Sequence, residues 1–323
     1  MKIESCTTPK YRDLSQPGDD ILVVVPQCLY AVFDGATDTA GISVQGGSPG
    51  RLAAQQAVLA MVRYASEPDH VLAPAQGLMA AMNRSIAHGL QAAGAGSVRA
   101  GTTAAMVEDA GDQLHFLIVG DSGIRINGTE LLRIHKDIDL IYTAGRGAVF
   151  RLLQARGWAG DSLEQQTRQL VFKGPARADP ALLSAPDVAQ LLALAQAGCA
   201  PRLQPDAIAQ VPQLLLAGIA GGQYAYCSNR AGHSLGYAVL DGTHTQGPDV
   251  LSLSRPKSDV RSIELFTDGY MSCPVGTSVR DWEDEFFRVE AQDFHKCGAF
   301  AGVKGSTSTQ FSDDRSVLTV HFH

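Results

Sequence analysis

The sequence predicts an α+β protein whose strands and helices occupy largely separate stretches of the chain. Short runs of β-branched and aromatic residues, typical of buried strands, lie before residue 127 and after residue 236. Apolar residues at helical spacing fill the stretch between them and also separate the early strands. Because no long charged or proline-rich linker divides the chain, we expect a single domain over residues 1–323 with a helical insertion at 139–222.

The elements of the first half follow from periodicity and from turn residues. Runs of Val, Ile, Leu and Phe bounded by Pro, Gly or Asp indicate strands, and the Gly111-Asp112 pair indicates a hairpin turn. A glycine- and serine-rich loop at 41–50 precedes two stretches whose Leu and Met residues share one helical face, which is typical of core packing. In chain order, the predicted elements are strands at Ile21–Val25 and Leu29–Phe33, helices from Arg51 and over 78–90, strands at Thr102–Glu108 and Leu114–Val119, and a strand beginning at Ile124.

The second half begins with helices and ends with strands. Apolar residues recur at helical spacing in four segments, the second of which follows a candidate cap at Asp161 or Ser162 and the third of which begins behind Pro186. The last segment of the chain alternates in the manner of a strand with two different faces. The predicted elements are helices at 148–154, 163–171, 188–196 and 208–216, then strands at Tyr237–Leu240, Ser262–Phe266 and Ser316–Phe322.

Composition excludes several classes of function. With 26 basic and 33 acidic residues the net charge is -7, which argues against nucleic acid or an anionic membrane as partner. The N-terminus lacks the apolar stretch of a signal peptide, and no run of about 20 apolar residues occurs, so we expect a cytoplasmic protein. The 6 cysteines form no C-x-x-C pair, and we expect thiols rather than a zinc or redox site.

Aspartates stand at the ends of four strand-like runs. Asp34, Asp121 and Asp268 follow such runs, and Asp313 precedes the last one. A single Asp-Gly pair is most often a turn, and we interpret Asp241-Gly242 in that way. Several carboxylates that a sheet brings together would repel one another unless cations lay between them. Since Mg²⁺ and Mn²⁺ prefer oxygen ligands, the set predicts a divalent-metal site without His or Cys ligands.

The order of these motifs resembles that of the metal-dependent protein phosphatase 2C family, in its bacterial form. The resemblance implies a four-layer α-β-β-α sandwich, with two antiparallel sheets flanked by helices and a dinuclear metal site at one end. It also implies a protein serine/threonine phosphatase whose partner is a phosphorylated protein. The matching segments, which span nearly the whole chain, are Asp34-Gly35, Gly101-Thr102-Thr103-Ala104, Val119-Gly120-Asp121-Ser122, Thr267-Asp268-Gly269 and Asp313-Asp314-Arg315-Ser316-Val317.

The resemblance also assigns roles to the aspartates. It implies that Asp34 bridges two Mn²⁺ or Mg²⁺ ions and that the carbonyl group of Gly35 binds one of them. Asp268 and Asp313 would bind the other ion, and Asp121 would share a third, looser ion with Asp268. A hydroxide that bridges the two ions would attack phosphorus in line, so no covalent enzyme intermediate is required.

The N-terminal part of the chain departs from the family pattern. Of the acidic pair Asp19-Asp20, we favour Asp20 as an indirect or water-mediated metal partner. Lys10 or Arg12 is the candidate for binding the substrate phosphate, although neither has the spacing of the family's Arg. Ala36 stands where many members have a His, so a metal-bound water would have to protonate the leaving group.

Two other functions remain open from the sequence. The missing His and Arg would also be explained by a catalytically weakened or inactive phosphatase fold that serves as a binding or regulatory module. A haloacid-dehalogenase-like enzyme would use Asp34 as nucleophile with one Mg²⁺, but that family has a second Asp where this chain has Ala36. The 139–222 insertion falls where a variable flap adjoins the site in phosphatase 2C proteins, and we expect it to influence substrate choice.

Overall fold

Two antiparallel sheets of five strands each form the centre of the fold. A computed structural model describes residues 1–36, 42–67, 75–227, 233–245 and 250–322. In spatial order, the first sheet consists of β1 (Lys2–Thr8), β10 (Arg315–His321), β9 (Ser262–Phe266), β6 (Gly123–Ile126) and β7 (Glu130–Arg133). The second sheet consists of β2 (Ile21–Val25), β3 (Leu29–Gly35), β4 (Thr102–Asp109), β5 (Gln113–Val119) and β8 (Val250–Pro256).

The two sheets pack face to face around an apolar core. Alternate residues of each strand point between the sheets, as the period of two along a strand requires. Tyr30 and Val32 of β3 meet Leu318 and Val320 of β10 there, and all four side chains are fully buried. The predicted sandwich of two antiparallel sheets is therefore confirmed.

Helices cover the outer face of each sheet. On the second sheet lie α1 (Pro49–Ala65), which begins behind the cap Ser48, and α2 (Gln76–Ala92). On the first sheet lies α7 (Val279–Gln292), whose Trp282 ring packs 4.6 Å from that of Phe266. These outer helices complete the four predicted layers.

The remaining four helices pack mainly against one another. They are α3 (Asp137–Ala155), α4 (Gly160–Lys173), α5 (Ala185–Cys199) and α6 (Pro205–Gly222). Their shared core includes Ile141, Val211 and Leu214. All four helices were predicted within the 139–222 segment, although each extends beyond its predicted ends. Within the described residues, no helix combines the length and apolarity needed to cross a bilayer.

Several predicted details of the fold are wrong or incomplete. Tyr237–Leu240 is not a strand, because within the described ranges it is paired only by single bridges from Tyr237 to Cys227 and from Leu240 to Thr102. The capping prediction for α4 is wrong as well, since the helix begins after Ala159 and Asp161 instead accepts a hydrogen bond from the backbone of Ser308 (2.8 Å). The sequence interpretation missed β1, β7, β8 and α7, and Gly41 of the predicted loop lies outside the described residues.

The fold also bears on one of the alternative functions and on the cysteines. Every strand pairing within the two sheets is antiparallel. This contradicts the alternating parallel β-α units of the haloacid-dehalogenase-like alternative. All 6 cysteines are free thiols, as expected.

Candidate active site

Strand register brings three of the predicted aspartates to one edge of the first sheet. Gly123 of β6 pairs with Phe266 of β9. Asp121 lies two residues before Gly123, and Asp268 lies two residues beyond Phe266, so the antiparallel pairing makes them neighbours. β10 pairs with the other side of β9, which brings Asp313, two residues before β10, to the same edge.

Asp34 reaches the same place from the second sheet. It lies near the end of β3 and pairs with Thr103 of β4. The Thr102 hydroxyl donates a hydrogen bond to the backbone carbonyl oxygen of Asp34 (2.8 Å), so the Gly101-Thr102-Thr103-Ala104 motif fixes the end of β3. A cavity of about 140 Å³ is lined by all four strand-end aspartates: Asp34, Asp121, Asp268 and Asp313.

The adjacent aspartates of the N-terminal pair have different surroundings. Asp19 accepts a hydrogen bond from the hydroxyl of Ser48, the cap of α1 (2.6 Å). Asp20 accepts one from the hydroxyl of Thr267 (2.7 Å), which lies directly before Asp268. Asp20 thus lies with the strand-end aspartates. We call Asp20, Asp34, Asp121, Asp268 and Asp313 the acidic cluster.

The carboxyl groups of the acidic cluster perturb one another. Burial raises the pKa of Asp34 well above its usual range, and the neighbouring Asp268 and Asp20 raise it further. Burial, followed by Asp313 and Asp121, raises the pKa of Asp268 to about 6. Asp20 is only 3% exposed, and burial together with nearby carboxylates raises its pKa as well. Buried acids held together in this way either retain protons or require cations.

Two oxygens of the cluster are buried without a hydrogen-bond partner among the described residues. They are Oδ1 of Asp20 and Oδ1 of Asp268. Leaving a buried carboxylate oxygen unpartnered is costly, and a divalent cation would remove that cost for both. Because every candidate ligand is an oxygen, the residues present fit Mn²⁺ or Mg²⁺.

Two members of the acidic cluster already have a cation beside them. Nζ of Lys136 lies 2.6 Å from Oδ2 of Asp121, and Nζ of Lys304 lies 2.7 Å from Oδ2 of Asp313. Burial alone would raise the pKa of these two acids, but the ammonium groups lower it below the usual range. As the side chains stand, no three Asp, Glu, His or Cys side chains of the described residues are grouped to hold one ion. A hard divalent ion held here would therefore take part of its coordination from water.

Gly35 lies at a close crossing of two backbone segments. A Cβ atom at this position would lie 2.7 Å from the carbonyl carbon of Gly50 and 2.9 Å from the carbonyl oxygen of Asp19. The crossing, which holds the start of α1 against the end of β3, therefore requires glycine. Gly35 does not line the described cavities, and its role as a carbonyl ligand stays a prediction.

Neither candidate for phosphate binding lines these cavities. Nζ of Lys10 lies 3.4 Å from Asp314 and 3.7 Å from Asp19. Arg12 pairs with Glu290 (3.1 Å), and its Nε donates to a backbone carbonyl. Both cations thus have protein anions as partners, and their proposed contact with phosphate stays a prediction without support from this arrangement.

A larger cavity of about 570 Å³ continues from the cluster toward the helices of the 139–222 segment. Asp121, Asp268 and Asp313 form one side of it. Sequence reasoning missed its cations, because they are scattered along the chain without common spacing. The basic residues that line it are Arg133, His135, Lys136, Arg151, Arg202 and Lys304.

Comparison with known proteins found similar structures but no sequence relatives. No family model and no curated protein matches the chain. The serine/threonine phosphatase PstP of Mycobacterium tuberculosis is 15% identical, with 98% of this chain and 97% of that chain covered and a TM-score of 0.46. The PstP catalytic domain in complex with two manganese ions is also 15% identical, with coverages of 98% and 96% and a TM-score of 0.46. The phosphatase Stp1 of Staphylococcus aureus is 10% identical, with coverages of 100% and 95% and a TM-score of 0.48.

Proposed function

We propose that this protein is a metal-dependent phosphomonoester hydrolase, namely a protein serine/threonine phosphatase of the 2C type that uses Mn²⁺ or Mg²⁺. The observation that supports this function most is the pair of unpartnered buried oxygens, on Asp20 and Asp268, within the acidic cluster. Asp34 and Asp268 also line a cavity, and buried acids with a raised pKa at a cavity are typical of functional sites.

In this proposal, Asp34, Asp268 and Asp313 are the principal metal ligands. Asp20 and Asp121 lie beside them. The five carboxylates of the acidic cluster would hold two ions and a third, looser one. When bound, the ions would acidify a water molecule and offset the charge of the phosphoryl oxygens. The ligands sit at strand ends that both sheets fix, so their positions would change little during the reaction.

The chain also supplies cations of its own around the substrate phosphate. Lys136 and Lys304 line the cavity beside the cluster, and Arg133 is held there by a hydrogen bond from Nε to the carbonyl oxygen of Asp121 (3.3 Å). Their charges favour an anion in the cavity over a neutral molecule. His135 lines the same cavity, and burial lowers its pKa, which favours the neutral imidazole.

Hydrolysis of p-nitrophenyl phosphate and of a phosphothreonine peptide tests the proposal. Protein stripped with EDTA is assayed alone and with added Mn²⁺ or Mg²⁺. We expect activity only with a metal, and its loss in Asp34→Asn and Asp268→Asn. Asp112→Asn is the matched control, because Asp112 is exposed in the β4–β5 hairpin at the opposite end of the sheet. Equal metal-dependent activity in wild type and in both cluster variants would exclude the proposal.

A second candidate is a phosphate-binding module with little or no hydrolysis. The ion pairs from Lys136 to Asp121 and from Lys304 to Asp313 favour it, because they already supply part of the positive charge that the cluster needs. Such a module would bind the phosphothreonine peptide in EDTA and would release no phosphate with either metal. Peptide binding measured by fluorescence anisotropy, beside the hydrolysis assay, distinguishes the two functions.

A further inference from the structure

One side of the larger cavity is a groove that runs along α3. Asp139, Thr143, Gly147 and Arg151 occur at intervals of four residues and all line the cavity, so they form one stripe of the helix. From Asp139 to Arg151 the stripe is about 18 Å long, since a helix rises about 1.5 Å per residue. That length matches about five residues of an extended peptide.

The groove is lined by both apolar and charged side chains. Leu194 of α5 lines it and is 50% exposed, which leaves apolar surface for a peptide backbone or side chain. At one end lie Asp121, Asp268 and Asp313, and the other end is marked by Arg151. A ligand that places a phosphate at the acidic cluster would therefore continue along α3.

Two arginines of this groove make no hydrogen bond or ion pair within the described part of the chain. Arg133, Lys136 and Lys304 each make a hydrogen bond or ion pair within the site. Arg151 and Arg202 are exposed, line the same cavity and make no hydrogen bond or ion pair with a described residue. We call Arg151 and Arg202 the basic wall.

The two arginines of the basic wall lie at different distances from the acidic cluster. Arg202 is close enough to His135 and Asp137, at the start of α3, for its charge to act on both. Arg151 lies about four turns beyond Asp137 along the helix. The wall thus offers one cation beside the start of α3 and another at the far end of the stripe, about five residues of extended peptide from Asp139.

We propose that the basic wall selects acidic phosphopeptides, which carry a second anionic group beside the one to be hydrolysed. The inference rests on the proposed function, because the acidic cluster is taken as the site of the phosphate. The whole chain has a net charge of -7 and would repel an acidic peptide, so two unpaired guanidinium groups in this groove offset that repulsion locally. A guanidinium fork binds a carboxylate or a phosphate through paired hydrogen bonds.

The geometry assigns a position to each arginine. Arg202 would contact an acidic group one or two residues from the phosphothreonine, and Arg151 one about five residues away. The acidic group could be the carboxylate of a glutamate or the phosphate of a second phosphothreonine, since a guanidinium binds both. A peptide series with glutamate near, glutamate far, a second phosphothreonine far, or neutral flanks distinguishes the sources.

The experiment measures kcat/KM of wild type, Arg151→Gln and Arg202→Gln on this series and on p-nitrophenyl phosphate. We expect Arg151→Gln to lower kcat/KM about fivefold on the far-acidic peptides, which is near the upper limit for one exposed ion pair. Arg202→Gln should lower kcat/KM by a similar factor on the peptide with glutamate near the phosphothreonine. The neutral peptide and p-nitrophenyl phosphate should change less than about twofold, and added salt should reduce the selectivity.

Arg280→Gln is the matched control, since Arg280 is an exposed arginine of α7 whose side chain is 90% accessible. An equal loss on every substrate in the wall variants, or no loss on any, would overturn the inference while phosphatase activity stands. Anisotropy of labelled peptides in EDTA gives a readout without turnover. If the protein hydrolyses no phosphomonoester but still binds acidic peptides through Arg151 and Arg202, the proposed function fails and the inference about the wall is supported.

Discussion

The two halves of the acidic cluster differ in whether a protein cation accompanies the carboxylate. Asp121 and Asp313 each have a lysine within 2.7 Å, and their pKa lies below the usual range. In Asp20, Asp34 and Asp268 burial and like charges raise the pKa. The unpaired half is therefore the part of the cluster that needs an added cation, and the paired half is stable without one.

The largest expected effect separates Asp34, a proposed principal metal ligand of the unpaired half, from Asp121 of the paired half. Asp34→Asn should lower metal-dependent kcat/KM on p-nitrophenyl phosphate by about 10³-fold or more, the range seen when one group that stabilises developing charge is removed. Asp121→Asn should cost only about tenfold, as expected for a residue that supports a metal ligand. Steady-state kinetics at saturating Mn²⁺ measure both. Equal losses would break the comparison.

A second prediction concerns Arg146, which holds the loop that places Lys304 beside Asp313. Arg146 is fully buried, pairs with the buried Glu164, and donates to the carbonyl oxygens of His295 (2.7 Å) and Lys296 (2.9 Å). Arg146→Met removes the nearer cation of the buried Glu164, leaving the partly exposed Arg168 (3.3 Å) as its cationic partner, and should destabilise the fold by about 3 kcal/mol. Urea unfolding measures the loss.

The controls for this prediction separate charge burial from loss of a side chain. Arg255→Met removes an exposed ion pair with Glu130 and should cost less than about 1 kcal/mol. Arg146→Met combined with Glu164→Leu should recover part of the stability, because no lone charge then remains buried. A double variant less stable than Arg146→Met would contradict the electrostatic explanation.

A smaller effect should appear when the paired half is made to resemble the unpaired half. Lys304→Met removes the cation beside Asp313, and we expect the affinity for Mn²⁺ to rise about tenfold, or roughly 1.4 kcal/mol. Calorimetric titration of EDTA-treated protein measures it. Lys257→Met is the control, because Lys257 forms an equally short pair with Asp109 (2.6 Å) at the far end of β4. Unchanged or weaker binding in Lys304→Met would show that the lysine does not compete with metal.

The smallest effect is a pH dependence of the metal-free protein. The pKa of Asp268 is about 6 in the fold and about 3.9 when unfolded, so the native state holds an extra proton between these values. This stabilising contribution is complete below about pH 4 and is lost as pH rises through 6. The carboxyl groups of the cluster with lowered pKa, Asp121 and Asp313, act only below about pH 4, outside this window. The lowered pKa of His135 acts in the opposite sense, which is why wild type is compared with Asp268→Asn, a variant that retains His135.

Thermal unfolding in EDTA between pH 5 and 7 tests this dependence. Wild type should lose melting temperature as pH rises, and Asp268→Asn should lose less, because its amide does not titrate. Saturating Mn²⁺ should remove the difference by favouring the ionised carboxylate. Parallel curves for wild type and Asp268→Asn in EDTA would contradict the raised pKa.

Much of the fold could be predicted because its signals are local. Alternation and turn residues located β2, β3, β4, β5, β9 and β10 within one or two residues. The strand predicted at Tyr237–Leu240 is wrong, since Tyr237 and Val239 are buried among helices of the 139–222 segment and the described pairing of this stretch consists of single bridges. The capping box of Ser278 and Asp281 marks the start of α7 in the sequence, although α7 was not predicted from periodicity.

The sequence by itself determined that Asp34, Asp121, Asp268 and Asp313 stand at strand ends, because turn chemistry and strand periodicity act over a few neighbouring residues. Only the tertiary structure decided which cations meet them. Arg146 and Lys296, whose contact holds the Lys304 loop, are 150 residues apart in the chain. Side-chain pairing of this kind depends on how distant segments pack, and no local pattern records it.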